Sequence, residues 1–488
     1  MDANTDAIAH KKKHGGKVFG VGGLAILTFA FLANVNTTPQ LATFGLGAIA
    51  LFVMAIVLFL APTAMASSEM AAAWPRTGGI YVWTRLAFGE AAGFVIIWLE
   101  WAQFVVAWPY LMGSITLQAA YLIDPSLNNN PVFLVLVVIT TTWLSVLLAL
   151  RGLRVTSGFA WYSVIAASVL PAVLLVAFAI VYVVQGNSPQ FEVSASALVP
   201  AVDFSDIAFI SGALLMFAGI QVSANHAGDV ENPGRTIPRS NWIAVALCLL
   251  LFAPLTLAIA TVIPANQINI VSGLVQSAEA IFTATSVGWL TPIFTFLIVT
   301  GLIASLVQII NGPSRGLVVA GREGGNLPPF LQRENAQKMP VVIIVIQAAI
   351  SSVLALGYLV LGSVQNAWIM FALIQTNMVL IMYLMMFAAL VKLRYSKPDV
   401  KRPYAIPGKK VGVWAVAAIG SIVCLAGLVI SFLPTSENTG MSTGVYVLIV
   451  ALGTIAFTAM PFLFWIFRKP SWKTEELDLN APDPEAVS

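Results

Sequence analysis

Long apolar runs separated by short polar stretches make up most of this chain. A helix needs roughly 20 mainly apolar residues to cross a bilayer. Twelve segments qualify: 18–42, 45–66, 91–122, 131–150, 159–185, 205–227, 241–264, 289–320, 341–361, 366–391, 411–433 and 443–467. The pattern predicts an all-α integral membrane protein with twelve transmembrane helices. The polar head (1–17) and the acidic, proline-containing tail (468–488) are short, and the tail is expected to be disordered. The first span is too long for the apolar region of a signal peptide.

Composition reinforces that reading. The 488 residues are 59% hydrophobic and 9% charged, with mean hydropathy +0.90. A soluble domain carries roughly 25% charged residues, so this chain cannot clothe a water-facing surface. All 24 Lys and Arg residues fall at the termini or on alternate loops and the span ends that adjoin them. The other loops (123–130, 186–204, 265–288, 362–365 and 434–442) have none. The positive-inside rule then puts both termini in the cytoplasm and makes the chain a multi-pass protein of the cell membrane. The net charge of +3 says little about partners. Cys248 and Cys424 lie in apolar runs, as small core or lipid-facing residues do.

Two spans are interrupted. The first contains "LANVNTTPQLA" (32–42), with Asn34, Asn36, Thr37 and Thr38 before Pro39. Pro39 removes a helical donor and biases Thr38 away from the α region, while the short polar side chains can satisfy freed backbone groups. The sixth reads "FISGALLMFAGIQVSANHAGD", punctuated by Gly212, Gly219 and Gly228. A single interruption fits an ordinary kink. Paired interruptions at corresponding positions of two halves point to the binding site of a secondary transporter. Spans 1–5 and 6–10 start on opposite sides, so the halves 18–185 and 205–391 form an inverted repeat, with helices 11 and 12 (411–467) appended.

Motifs narrow the reading. "SSEMAAAWPRTGGIYVWTRLAFGEAAGF", with Glu69, Pro75, Gly78-Gly79, Tyr81 and Gly89, resembles the signature of the amino acid–polyamine–organocation (APC) superfamily. "QVSANHAGDVENPGRTIP" and "NGPSRGLVVAGREGGNLPPFL" look like the exits of its sixth and eighth helices. "NPGR", "GPSRG", "VIPANQINIVSGLVQ" and "KRPYAIPG" together resemble the bacterial glutamate/γ-aminobutyrate antiporter family. The resemblance covers roughly 15–468. It implies a five-plus-five inverted repeat (LeuT-type) with discontinuous helices 1 and 6, and exchange of an amino acid for a related amine or amino acid by alternating access. A proton-coupled symporter on the same fold is the alternative. This chain departs from that family at Gln221, where a carboxylate is expected, and at Asn36-Thr37-Thr38, where aromatic and acidic side chains are expected. Its short acidic tail also differs from the long basic one.

The resemblance implies that the first break (Asn34, Asn36, Thr37, Thr38) holds a substrate carboxylate through backbone N–H groups. The sixth break (Phe217, Ala218, Gly219, Ile220, Gln221) then offers carbonyls to an amine, with Phe217 or a neighbour as a candidate aromatic lid. Glu100, with Gln103 one turn on, is the only ionisable residue well inside a span by these limits. An intramembrane carboxylate is functional by default. It is either a substrate-amine or proton site, or a packing group. His226, Asp229, Glu231, Arg235 and Arg315 are candidates for an inner gate. Gln308, Asn311, Gln375 and Asn377 read as helix-to-helix hydrogen-bonding residues. The chain has three histidines and no HExxH, GxSxG or metal-ligand cluster. It is therefore read as no enzyme, with no cofactor or metal, a small amino acid or amine and the lipid bilayer as partners, and no nucleic acid.

Overall fold

The computed structural model describes residues 20–33, 35–76, 78–124, 126–127, 130–152, 161–200, 218–230, 232–361, 364–433 and 441–474. No strand occurs among them. The helices are α1 Val21–Leu32, α2 Thr38–Ala42, α3 Gly45–Ala73, α4 Ile80–Phe88, α5 Glu90–Ile123, α6 Pro131–Ala149, α7 Trp161–Val184 and α8 Val222–Asn225. They continue with α9 Pro233–Val262, α10 Gly273–Ala284, α11 Leu290–Ile309, α12 Asn311–Gly324, α13 Val341–Val360, α14 Val364–Ser396, α15 Lys409–Ile430 and α16 Thr443–Ile466. Among the described residues nine helices are long and apolar enough to cross a membrane. The pair Val21–Leu32 and Val35–Ala42, bent by 41°, makes a tenth. The apolar part of α11, Leu290–Leu306, is shorter. Most of the expected sixth span lies outside the described residues.

Several expected boundaries move. Helix α3 runs on to Ala73 and α9 starts at Pro233, so Glu69, Arg235 and Arg239 sit on helices rather than in loops. Hydropathy ends a span at its first charges. The backbone can stay helical beyond that point because the heads of Arg235 and Arg239 are exposed to water, while buried Glu69 is paired within the protein. The connections 74–90 and 265–288 each hold a helix of their own, α4 and α10. The eighth span parts at Ile310 because Pro313 offers no N–H to the end of α11.

Proline explains how the helices are stitched together. A proline inside a helix frees the carbonyl four residues earlier, and in lipid that carbonyl must find a donor within the protein. Pro109 frees Val105, whose carbonyl accepts the Ser351 hydroxyl at 2.8 Å. Pro461 frees Phe457, whose carbonyl accepts the Trp98 indole N–H at 3.0 Å. Helix α5 is thereby bonded to α13 and α16. Pro62 and Pro171 each follow by two residues a wide π-helical turn, Ile56–Leu60 in α3 and Val164–Val169 in α7. These turns give the chain an extra residue where the proline interrupts the ladder.

The apolar interior is divided in two. One core gathers around α5, α13 and α14, the other around α1, α7, α9 and α10. Ala218 packs on the first and Ile220 belongs to the second, so the sixth break lies where the cores meet. Buried Cys248 and Cys424 sit on separate helices, α9 and α15. The connections also segregate. Those rich in Lys and Arg touch one another: Arg85 meets Glu323, Gly325 meets Lys469, and Asn335 donates to the Leu150 carbonyl. Those free of Lys and Arg do the same: Gln190 N–H donates to the Thr261 carbonyl, and Gly47 abuts Pro200.

Candidate functional site

The first break lies earlier than its proline suggests. Helix α1 ends at Leu32, Ala33 leaves the helical conformation (φ −73°, ψ 48°), and a 3-10 turn, Val35–Thr37, leads into α2. Pro39 sits in the first turn of α2, where a missing N–H costs nothing. Thr38 is therefore helical, contrary to the bias expected of a residue before proline. Its hydroxyl donates to the Val35 carbonyl, the acceptor that Pro39 leaves open, at 2.7 Å. The Ala33 carbonyl accepts the hydroxyl of Ser168, which the wide turn of α7 presents to it. Asn36 accepts from the Gln118 amide of α5 at 3.2 Å, and the other side-chain atom of Gln118, Oε1, is buried with no hydrogen-bond partner among the described residues. Asn34 lies outside the described residues.

The sixth break is a turn at Ala218–Gln221 leading into α8. Gly219 has φ +128°, open to glycine and strained for other residues. Its N–H donates to the Tyr383 hydroxyl at 2.8 Å, and that hydroxyl donates to Gln221 Oε1. Tyr383 comes from α14, is fully buried, and meets Phe59 edge to face with ring centroids 5.1 Å apart. Phe59 lies in the wide turn that precedes Pro62. The two breaks are neighbours: a Cβ on Gly219 would stand 3.5 Å from Leu32 Cδ2. Phe217 lies outside the described residues.

Helices α5 and α14 run antiparallel, since Gln103 pairs with Gln375 and, further along, Ser114 pairs with Trp368. Glu100 is partly buried on α5, one turn from Gln103. It is 18 residues, about 27 Å of helix axis, from Gln118. By the same pairing Tyr383 lies at the Glu100 end of α5, with Gln118 and its partner Asn36 towards the other end. Trp101 and Trp108 are fixed structurally, their indole N–H groups donating to Gln347 and Thr142. Gln375 and Asn377 bond to other helices, while the side chains of Gln308 and Asn311 are outside the described residues.

On the charged face, Arg235 is exposed, Arg315 and His226 are partly exposed, and the Asp229 side chain and Glu231 lie outside the described residues. Two clusters of charged groups lie elsewhere on this face. Glu69, 1% exposed on α3, accepts from Arg394 at 2.8 Å and from the Ile406 N–H at 2.7 Å, and lies 3.3 Å from Arg402. Glu69 is thus a buried carboxylate on a membrane-spanning helix, which the hydropathy limits had left in a loop. Gly234 of "NPGR" packs on Pro403 of "KRPYAIPG", so three motifs far apart in sequence converge here. Burial lowers the Arg402 guanidinium, partly offset by Glu69; burial and Glu69 together raise the Tyr404 hydroxyl. A second cluster joins Arg85 to Glu323 and to the Tyr81 hydroxyl, which itself donates to Glu323 at 2.7 Å. Burial, reinforced by Glu323, drives the Tyr81 hydroxyl far above its ordinary value. No group of three His, Cys, Asp or Glu among the described residues is arranged to hold a metal ion.

Two adjoining helix breaks at the junction of two cores are a transporter's architecture, and residues 17–457 match the family described as Amino acid permease. The chain belongs to the amino acid permease family. The family lies in the APC superfamily, and the chain is a multi-pass membrane transporter of amino acids. An uncharacterized transporter of Legionella pneumophila is 32% identical over 451 residues, 92% of this chain and 97% of the other. A glutamate/gamma-aminobutyrate antiporter of Lactococcus lactis is 28% identical over 463 residues, 92% and 90% of the two chains. The cystine/glutamate transporter of Homo sapiens is 24% identical over 419 residues, 84% and 76%. For this permease, sequence reasoning missed Tyr383, Gln118 and Ser168. Their signal was a hydroxyl or amide inside an otherwise apolar span, and only their partners distinguish them from ordinary packing residues.

Proposed function

We propose that this permease is an antiporter, exchanging an amino acid for a related amino acid or amine by alternating access. The observation that carries the reading is the junction of Leu32 and Gly219, two broken helices in contact between separate cores. The antiporters among its relatives support the mode of exchange. In this reading twelve helices form a five-plus-five inverted repeat (18–185 and 205–391) with 411–467 appended, and both termini are cytoplasmic in the cell membrane. The first break (Asn34, Asn36, Thr37, Thr38) takes the carboxylate on N–H groups at a helix start. The sixth (Phe217, Ala218, Gly219, Ile220, Gln221) faces the amine, and neutral Gln221 lacks the charge by which a carboxylate would favour a doubly cationic substrate. Asp229, Glu231, Arg235, Arg315 and His226 border the inner mouth.

Counterflow in proteoliposomes tests this. Labelled glutamate outside, with glutamate, γ-aminobutyrate, another amino acid or nothing inside, is expected to enter only when a counter-substrate is present. Entry without internal substrate that collapses with the proton gradient instead supports the proton-coupled symporter, with Glu100, a partly buried carboxylate on α5, as its proton site.

A further inference from the structure

A cleft of about 650 Å³ opens on the charged face between the end of α14 and the start of α15, lined by Arg394, Arg402, Gly408, Lys409, Lys410 and Val411 among others. Residues 392–410 hold seven Lys or Arg against one acid, Asp399. Glu69 is shared by Arg394 and Arg402 and cancels one of their two charges. The remaining cation and both lysines leave the cleft net positive. Its wall includes the first turn of α15, a 22-residue helix whose N-cap, Gly408, has no side chain to cap it and whose first turn holds no acid. Such a turn offers N–H groups to an anion.

Surrounding residues indicate what kind of anion. Trp414 donates its indole N–H to the Tyr395 hydroxyl at 3.0 Å, and the Lys410 ammonium lies 4.8 Å from the Tyr395 ring centre. Trp and Tyr gather at the level of lipid headgroups. Above them, Val411 (79% exposed), Trp414, Ile422, Leu425 and Val429 form an exposed apolar stripe along α15. A soluble anion needs no such stripe, whereas acyl chains do.

We infer that this cleft binds the headgroup phosphate of an anionic phospholipid, with the acyl chains lying along the exposed face of α15. The site adjoins the Glu69 cluster that joins α3 to α14, so an occupied cleft bears on the relative placement of these helices. Basic pockets between membrane helices are recurrent sites for acidic lipids.

Native mass spectrometry of the purified full-length protein, titrated with dioleoyl phosphatidylglycerol or dioleoyl phosphatidylcholine, tests the assignment. Lys409→Asn with Lys410→Gln removes two cations; Asn suits the positive φ of residue 409, +55°. Each lysine near the surface contributes about 1 kcal/mol. The double variant is therefore expected to bind phosphatidylglycerol roughly thirty-fold more weakly, with Lys473→Gln unchanged. Equal binding of the two lipids by the parent protein, or an unchanged double variant, overturns the proposal. So does displacement of phosphatidylglycerol by an equal concentration of inorganic phosphate, which identifies a site for the free ion.

Discussion

Removing the Glu69 carboxylate is expected to loosen the junction of α3, α14 and the 397–408 connection. In Glu69→Ala, two guanidinium groups and the Ile406 N–H lose their shared acceptor in a region where Glu69 itself is 1% exposed. Breaking a buried ion pair by deleting one partner costs about 3–5 kcal/mol. Arg402 keeps its bonds to the carbonyls of Val400, Leu393 and Lys397, and the Arg394 side chain retains 15% exposure, which places the loss near the lower end, about 3 kcal/mol. Glu69→Gln keeps one oxygen but turns its NH₂ toward either an arginine or the Ile406 N–H, for a loss of about 2 kcal/mol. Unfolding entropy grows with chain length, so each kcal/mol moves the midpoint of a chain this size by roughly 1–2 °C. Scanning fluorimetry in detergent is expected to show Glu69→Ala melting about 3–6 °C below the parent. Adding Arg394→Met to it is expected to cost less than the two single losses summed. A Glu69→Ala protein melting with the parent, or strict additivity in the cycle, refutes the argument that this carboxylate holds the junction.

Three further outcomes are expected. Gly219→Ala meets no steric obstacle, since its Cβ would stand 3.5 Å from Leu32 Cδ2, but it adopts φ +128° at a cost of about 1–3 kcal/mol; uptake is expected to fall well below that of Gly444→Ala, and equal uptake shows that the turn is not needed in this conformation. If Glu100 meets a substrate amine, Glu100→Gln is expected to weaken an amine-bearing substrate roughly tenfold to hundredfold, from about 1.5–3 kcal/mol for a lost charged contact, and to alter the pH profile of uptake between pH 5 and 8; an unchanged profile and substrate choice removes Glu100 from the site. Cysteines at exposed Ser126 and Ser188 are expected to react with an impermeant maleimide from outside intact cells and one at exposed Arg235 is not, with buried Cys248 and Cys424 giving little background; the reverse pattern inverts the topology.

Membrane residence, most of the span positions and the family were fixed by local properties. Hydropathy sums along the chain, and a run such as 341–361 has no soluble solution whatever it packs against. The breaks were legible for the same reason, because Pro39, the Asn and Thr residues before it and the glycines of the sixth segment act on their own backbone. Where the first helix parts was decided by the tertiary structure: Ala33 leaves the helix with its carbonyl taken by Ser168, from a turn more than 130 residues away, and Pro39 then falls harmlessly at a helix start. The partners of polar groups were likewise invisible in one dimension. Nothing near Tyr383 in sequence says that its hydroxyl will clasp Gly219 and Gln221, and nothing near Glu69 announces Arg394, Arg402 and Ile406. A freed carbonyl or a buried carboxylate in lipid must find a partner, but which one depends on how tilted helices meet. Local sequence specifies the demand; only the assembled bundle supplies the donor.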